Sequence, residues 1–318
     1  MRVIAIEEHF ATAMYPFRGT TTIADGKIRM GHDVGAELVD LGTSRVAAMD
    51  AAGIDVQVMS LTSPGCQAFA AAEALAIATD ANDRLYDATR RHQGRLFGFA
   101  ALPTADPAAS VRELERAVTR LGFKGALING HTQGEFLDDK KYWDIFACAQ
   151  SLHVPIYLHP REPHPAAFKA YFEGYEELAH GAWGFALETC SHFLRLVFAG
   201  VFDAFPELTV ILGHLGEGLP FWLKRLNDHS YLAAGRRGLK RAPADYLRQN
   251  LVVTCSGNFY APALLCTVMA LGIDNVLFSA DWPFESNVEA TTFLASLPLS
   301  VEDREKIAHR NAERVLRL

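Results

Sequence analysis

The chain has 318 residues, of which 50% are hydrophobic and 21% are charged, and its formal net charge is −7. This composition excludes a disordered chain, and the negative charge excludes a broad basic surface, so no nucleic-acid partner is expected. No apolar stretch is long enough to span a bilayer, and the chain shows neither a signal peptide nor a CxxC pair. We therefore expect a cytoplasmic protein that does not bind membranes.

Eight short apolar runs predict β-strands. The runs are continuous rather than alternating, which is typical of parallel strands buried on both faces. In chain order they cover residues 3–6, 55–62, 96–102, 124–129, 154–158, 210–213, 250–256 and 275–280.

Helical patterns separate these strands. One of them begins with Asp106 and Pro107, an N-cap residue followed by proline at the first helical position. The predicted helices cover residues 44–52, 70–91, 107–121, 140–152, 185–205, 219–233, 261–271, 288–297 and 301–316. Alternation of strand and helix without a linker predicts an α/β fold, namely a (β/α)8 TIM barrel that forms a single domain over residues 1–318.

Residues of the kinds that bind metals come at the ends of several strands. Glu7 and His9 come after the first run, His159 after the fifth, His214 after the sixth and Asp281 after the eighth. In a (β/α)8 barrel the C-terminal ends of the strands form the face that carries the active site. This shared placement predicts that the five side chains converge at the mouth of the barrel.

Four of these residues suit one divalent metal ion. Glu7 and His9 are two positions apart on a strand, so their side chains leave the same face and Glu8 points the other way. An imidazole and a carboxylate from two other strands complete a set that leaves coordination positions open for substrate. The predicted metal ligands are Glu7, His9, His159 and Asp281.

Each residue also has a simpler interpretation. A single histidine at the end of a strand is more often a hydrogen-bonded structural residue than a metal ligand. Asp281, ahead of Trp282 and Pro283, could cap a turn. The joint placement of four ligand-type residues favours a metal site over four separate structural roles.

Four segments carry a resemblance to a known family. They are IEEHF at residues 6–10, YLHPR at 157–161, ILGHLGEGLP at 211–220 and SADWPFE at 279–285, and the similarity includes residues 122–130 and 254–259. Together they resemble the amidohydrolase-superfamily decarboxylases, above all the γ-resorcylate and 2,3-dihydroxybenzoate decarboxylases. The GHxGE and DWP segments also occur in related hydrolases.

The resemblance implies one Mn²⁺ or Zn²⁺ ion, held by the predicted ligands, and no organic cofactor. Dinuclear relatives bridge their ions with a carboxylated lysine at the end of the fourth strand, where this chain has Asn129. The implied activity is that of a carboxy-lyase acting on an ortho-hydroxybenzoate-type acid without oxidation. The metal would chelate the carboxylate and phenolate, and a protonated Asp281 would protonate the ring carbon before CO₂ leaves.

Further residues are assigned to catalysis and to substrate binding. His214 is predicted to be the hydrogen-bonding partner that places the proton of Asp281. Glu217 would orient the imidazole of His214. Alternatively, Glu217 could be a carboxylate that only stabilises a helix N-terminus. In the resembling decarboxylases, an arginine that matches Arg225 reaches the substrate. The other predicted substrate-binding residues, each with an alternative role in packing or in capping a turn, are Phe284, Trp183 and Asn129.

Other functions remain open on the sequence alone. With the same ligands, a metal-bound water could attack an ester, lactone or amide as in a hydrolase, and a non-catalytic metal-binding protein would need no proton donor. The expected substrate is a small aromatic carboxylic acid, whose ring substituents the loops at residues 12–42 and 130–141 would select. The resemblance implies a homodimer or homotetramer.

Overall fold

The computed structural model describes residues 1–15 and 34–318. Within them lie nine strands, which confirm every predicted run, most with shorter bounds. The strands are β1 (Ile4–Phe10), β2 (Val56–Leu61), β3 (Leu96–Gly98), β4 (Ala100–Ala101), β5 (Ala126–Asn129), β6 (Ile156–His159), β7 (Val210–Leu212), β8 (Leu251–Thr254) and β9 (Val276–Leu277). The predicted third strand is divided at Phe99, whose amide donates to the Met59 carbonyl at 2.9 Å.

The strand ladders in the described residues are all parallel. β1, β2 and β3 form one sheet, and β4 to β9 follow in chain order in a second sheet. Beyond β9, the Ser279 hydroxyl accepts from the amides of Ile6 at 3.2 Å and Glu7 at 2.7 Å. The His9 amide also donates to the Trp282 carbonyl at 2.8 Å. These contacts connect the last strand to the first, as a barrel requires.

Helices separate the strands, as the alternation predicted. They are α1 (Val34–Val39), α2 (Thr43–Ala52), α3 (Ala71–Arg91), α4 (Pro107–Thr119), α5 (Trp143–Ser151), α6 (Pro165–Tyr171), α7 (Gly184–Ala199), α8 (Val201–Ala204), α9 (Leu219–Arg236), α10 (Pro243–Asn250), α11 (Ala261–Leu271), α12 (Asn287–Ser296), α13 (Val301–Glu305) and α14 (Asn311–Leu316). The predicted N-cap of α4 is confirmed, because the Asp106 carboxylate accepts from the Ala109 amide at 3.0 Å. Among the described residues, no helix combines the length and apolarity needed to cross a membrane.

Several predicted helix bounds were wrong. The helix predicted over residues 185–205 is interrupted at Gly200, whose φ of 84° lies in the left-handed region that favours glycine. The helix predicted over 301–316 contains a π-helical turn at Lys306–Arg310. α1, α6 and α10 lie in segments where no helix was predicted. The predicted mouth loop at 12–42 therefore contains α1, and its residues 16–33 lie outside the described part of the chain.

A buried apolar cluster fills the space enclosed by the strands. It takes alternate residues from successive strands: Ile4, Ile6, Val56, Val58, Phe99, Leu127, Tyr157, Ile211, Val252 and Leu277. Along β1 the register against β2 shifts between Ala5 and Glu8. Because of this bulge, Glu7 and His9 share the inner face with Ile6, although strict alternation would put Ile6 and Glu7 on opposite faces. The bulge thus places two predicted ligands directly above the inner core.

Candidate metal centre

The four predicted metal ligands meet at the C-terminal ends of the strands. Glu7 and His9 lie in β1, His159 is the last residue of β6, and Asp281 follows β9. One ligand atom from each residue lies within 4.8 Å of those from the other three. Glu7, His9 and His159 are buried. In residues 1–15 and 34–318, no other group of acidic, histidine or cysteine side chains has this arrangement.

The atoms that face one another have no hydrogen-bond partners. His9 Nε2 lies 3.1 Å from Asp281 Oδ1, and His159 Nε2 lies 3.4 Å from Glu7 Oε1. Glu7 Oε1, His9 Nε2 and Asp281 Oδ1 are nevertheless buried without a hydrogen bond to any described residue. Buried polar atoms are rarely left unsatisfied in this way. Two imidazole nitrogens and two carboxylate oxygens fit a single divalent transition-metal ion, which would satisfy all of them.

The second nitrogen of each histidine is held by a neighbour. His159 Nδ1 lies 2.7 Å from the Pro160 carbonyl, to which it donates, and His9 Nδ1 lies 3.3 Å from Ser60 Oγ. A proton on Nδ1 leaves the lone pair of Nε2 free for a metal. Burial lowers the pKa of His159 well below its ordinary value. His159 is therefore a neutral imidazole, the form that binds metals.

Glu7 is fixed by the oxygen that does not face the other ligands. Its Oε2 accepts hydrogen bonds from the hydroxyl groups of Tyr157, Thr254 and Ser256. Gly213 leaves the room that the carboxylate occupies, because a Cβ at this position would lie 2.6 Å from Glu7 Oε1. The carboxylate can thus turn only Oε1 toward the metal position.

His214 and Glu217 lie beside the ligands, in the loop between β7 and α9. His214 Nδ1 lies 2.6 Å from Glu217 Oε1, and His214 Nε2 lies 3.6 Å from Asp281 Oδ2. His214, Glu217 and Asp281 have positive φ angles of 51°, 56° and 73°. This region is uncommon for residues other than glycine, and such backbone strain clusters at functional sites.

The pKa directions of His214 and Asp281 are opposite. Burial alone would lower the pKa of His214, but the charges of Glu217 and Glu7 raise it well above its ordinary value. Burial alone would raise the pKa of Asp281, but the nearby imidazoles of His214 and His9 bring it below its ordinary value. These directions favour a proton on His214 over one on Asp281, whereas the sequence led us to expect a protonated Asp281. The His214 nitrogen that faces Asp281 lies 3.6 Å from its Oδ2, just beyond hydrogen-bond distance.

Two predicted substrate-binding residues lie close to the ligands. The Phe284 ring centroid is 5.7 Å from that of His9, and Asn129 pairs with His159 in the ladder between β5 and β6. The Asn129 Nδ2 donates to the Leu61 carbonyl at 3.3 Å, whereas its Oδ1 is buried without a described partner. The Asn129 atom left for a substrate is therefore an acceptor.

The other two predicted substrate-binding residues lie on the surface. Trp183 is the N-cap residue of α7 and is 59% exposed, and Arg225 is exposed on α9. Within the described residues, neither side chain forms a hydrogen bond or ion pair with the four ligands. The structure therefore does not bring them to the metal centre.

Sequence reasoning missed the hydroxyl groups that hold the first strand in place. Tyr157 is two positions before His159 and leaves the same face of β6, and Ser279 is likewise two positions before Asp281. This spacing of two was the available signal for both residues. Thr254 and Ser256 have the same relation to each other at the end of β8.

Comparison with known proteins identifies relatives over the whole length of the chain. The amidohydrolase family model matches residues 33–318. The γ-resorcylate decarboxylase of Polaromonas sp. strain JS666 is 38% identical over 99% of this chain and 98% of its own length. A solved structure of 2,6-dihydroxybenzoate decarboxylase complexed with 2,6-dihydroxybenzoate is 36% identical, with a TM-score of 0.90 and 100% of both chains covered.

A second solved structure adds a metal. The dihydroxybenzoic acid decarboxylase of Polaromonas sp. JS666, with bound manganese and the inhibitor 2-nitroresorcinol, is 37% identical, with a TM-score of 0.91. The match covers 100% of this chain and 97% of that chain. The resemblance inferred from four short motifs is thus confirmed over the complete α/β barrel. By sequence and by fold, the chain belongs to the amidohydrolase family.

Proposed function

We propose that the protein is a metal-dependent decarboxylase that releases CO₂ from an ortho-hydroxybenzoate-type acid. One observation carries this proposal: buried ligand atoms without hydrogen-bond partners among the described residues lie next to His214, an imidazole that is paired with Glu217 and can supply a proton. Non-oxidative decarboxylation of an aromatic ring needs both features, because the substrate anion must be fixed and one proton must reach a ring carbon. The relative that binds 2,6-dihydroxybenzoate supports this class of substrate.

The proposed ligands of one divalent ion are Glu7, His9, His159 and Asp281. When bound, the ion would act as a Lewis acid that favours ionisation of the phenol next to the carboxylate. The resulting phenolate makes the ring carbon electron rich. We favour Mn²⁺ because the Polaromonas relative holds manganese. Zn²⁺ suits the same ligands and stays the alternative predicted from sequence. This chemistry requires no organic cofactor.

Asp281 is proposed to deliver the proton. His214 Nε2 lies 3.6 Å from Asp281 Oδ2, so His214 can pass its proton to Asp281 when the substrate anion enters. Asp281 then transfers it to the ring carbon that carries the carboxylate. The bond between this carbon and the carboxylate breaks, CO₂ leaves, and the electron pair restores the aromatic ring. Glu217 orients the imidazole and keeps the pKa of His214 high.

Side chains around the ligands are proposed to position the aromatic ring. Phe284 offers an apolar face beside His9, and the free Oδ1 of Asn129 accepts from a ring hydroxyl. Arg225 and Trp183 would have to approach the centre to contact substrate, so their substrate-binding roles stay predictions.

The assembly and location of the protein also stay proposals. We propose a cytoplasmic homodimer or homotetramer built from one domain per chain, as the sequence and its resemblance implied. Light scattering on the purified protein measures the number of subunits directly.

Product analysis distinguishes decarboxylation from hydrolysis. Metal-free protein is reloaded with Mn²⁺ and incubated with 2,6-dihydroxybenzoate, 2,3-dihydroxybenzoate or salicylate, and the phenolic product and CO₂ are quantified. The methyl ester of each acid serves as the matched control, because it lacks the free carboxylate but offers a bond to a hydrolase. Equal amounts of phenol and CO₂ from an acid support the proposal. Hydrolysis of an ester without CO₂ release from any acid would contradict the proposal and favour the hydrolase.

A further inference from the structure

Glu8 lies between the two metal ligands of β1, and its buried carboxylate accepts four hydrogen bonds. Oε1 accepts from Ser279 Oγ at 2.8 Å and from the Ala280 amide at 3.0 Å. Oε2 accepts from the Trp282 amide at 3.1 Å and from Gln57 Nε2 at 3.3 Å. A carboxylate offers about four acceptor positions, so Glu8 uses its full capacity.

Three of the four donors belong to the segment that carries Asp281. Ala280 and Trp282 are the immediate neighbours of Asp281, so Glu8 holds the backbone on both sides of it. The φ angle of Asp281 is 73°, and a residue other than glycine keeps this conformation only where its surroundings impose it. The carboxylate of Glu8 is positioned to impose it.

Arg45 carries the charge opposite to that of Glu8. It contacts both β1 and the segment that carries Asp281, and we call the meeting of these two segments the β1–Asp281 junction. This fully buried side chain donates from Nη2 to the His9 carbonyl at 2.6 Å and from Nη1 to Gln57 Oε1 at 3.3 Å. Its guanidinium carbon lies 4.3 Å from the centroid of the Trp282 ring. A buried carboxylate is costly without a nearby cation, so Arg45 compensates for Glu8.

The β1–Asp281 junction brings together predicted metal ligands from opposite ends of the chain. Glu7 and His9 lie in β1, and Asp281 lies beyond β9. Among the described strands, β9 and β1 do not pair in a ladder. Hydrogen bonds from side chains therefore provide much of the contact between β1 and the segment after β9. The distance from Asp281 to Glu7 and His9 therefore depends on the Glu8 carboxylate, which contacts the segment around Asp281.

We infer that Glu8 is a positioning residue, which holds Asp281 against β1 and thereby sets the affinity and geometry of the metal centre. This inference rests on the proposed metal-dependent function. It concerns how the chain arranges its ligands, not which reaction follows.

The test compares Glu8→Gln with Glu113→Gln in the complete chain. Glu8→Gln preserves size but turns an NH₂ group toward a hydrogen-bond donor, whichever way the amide lies. Glu113 is a matched control, since it is also a buried carboxylate and accepts from Asn82 Nδ2 at 2.6 Å and from Arg116. The readouts are Mn²⁺ affinity by calorimetric titration and the electron paramagnetic resonance spectrum of bound Mn²⁺.

Glu8→Gln should weaken Mn²⁺ binding by about 10- to 100-fold, which is the usual effect of removing a residue that orients metal ligands. It should also alter the electron paramagnetic resonance spectrum of bound Mn²⁺. Glu113→Gln should match the unsubstituted protein in both readouts. Unchanged affinity and spectrum in folded Glu8→Gln would overturn the inference. If Glu8→Gln does not fold, Gln57→Met removes a single donor to Glu8, and Mn²⁺ binding that is unchanged in this variant overturns the inference equally.

The outcomes separate this inference from the proposed function. Loss of affinity in Glu8→Gln, in a protein that decarboxylates none of the acids, supports the inference and refutes the proposed function. Normal Mn²⁺ binding by Glu8→Gln in an active decarboxylase refutes the inference alone. If the unsubstituted protein binds no Mn²⁺, both fall.

Discussion

Glu7 uses its two carboxylate oxygens for different tasks. Oε2 accepts from three hydroxyl groups, whereas Oε1 faces His159 Nε2 at 3.4 Å and has no hydrogen bond to a described residue. His159 has the same division, since Nδ1 donates to the Pro160 carbonyl and Nε2 faces Glu7. These two predicted ligands are therefore oriented by the protein itself, and removing one of them should weaken metal binding without disturbing the others.

His159→Ala should weaken Mn²⁺ binding by at least about 10- to 100-fold, because the centre loses one of its two imidazole ligands. Metal content after dialysis against a weak chelator, measured by mass spectrometry, checks this prediction. His229→Ala, on the exposed surface of α9, is the control and should keep its metal. Full metal content in His159→Ala would show that this histidine is structural.

Glu217→Gln should change the pH dependence of the reaction. The charge of Glu217 raises the pKa of His214, so its neutral replacement lowers that pKa. In the proposed mechanism, protonated His214 is the active form, which is present below its pKa and lost above it. The fall in kcat/KM at high pH should therefore move to lower pH, by about 1 to 3 units for the loss of one close opposite charge.

A pH series of kcat/KM with the preferred acid checks this prediction. Glu115→Gln, on the exposed surface of α4, is the matched control and should leave the profile unchanged. A profile that keeps its position in Glu217→Gln would mean that His214 does not hold the catalytic proton.

At the scale of helices and strands, continuous apolar runs predicted the barrel well. Every predicted strand formed, and the ligands at strand ends met because parallel strands place their C-terminal ends on one face. The bulge between Ala5 and Glu8 could not be predicted, since it depends on the Ser279 hydroxyl from the other end of the chain. Likewise, the position of Arg225 relative to the barrel mouth could not be predicted, because local sequence patterns do not specify what an exposed helix residue contacts.

The short loop after β7 depends on the space left at Gly213. A Cβ there would lie 2.6 Å from Oε1 and 2.7 Å from Oε2 of Glu7. Gly213→Ala should therefore displace Glu7, weaken Mn²⁺ binding and lower the free energy of unfolding by about 1 to 3 kcal/mol, as overpacking does. Urea unfolding and metal titration measure the two effects.

Gly235→Ala is the matched control for this substitution. Gly235 lies within α9, and a Cβ added there would meet no atom within 4 Å, so alanine should leave metal binding unchanged and raise stability slightly. Equal behaviour of the two alanine variants would mean that the Glu7 carboxylate does not need its present position.

At the scale of the whole molecule, the metal centre joins β1, β6 and the segment after β9, so its occupancy should stabilise the complete barrel. Mn²⁺ at about 100 times its dissociation constant should raise the free energy of unfolding by about 2.7 kcal/mol if the unfolded chain does not bind it. Urea unfolding with Mn²⁺ and with a chelator measures the difference. In His159→Ala, about 10- to 100-fold weaker binding at the same Mn²⁺ concentration should reduce the difference to about 0.4 to 1.4 kcal/mol or less. A gain equal to that of the unsubstituted protein would place the stabilising ion elsewhere.

The most direct test of the proposed function is proton NMR of the reaction in D₂O. Mn²⁺-loaded protein is incubated with 2,6-dihydroxybenzoate, the metal is removed, and the ring protons of the product are integrated. We expect a product with one deuterium at the carbon that carried the carboxylate, and no turnover in Asp281→Asn. Full activity in Asp281→Asn, or product formation without deuterium at that carbon, would contradict proton delivery through Asp281.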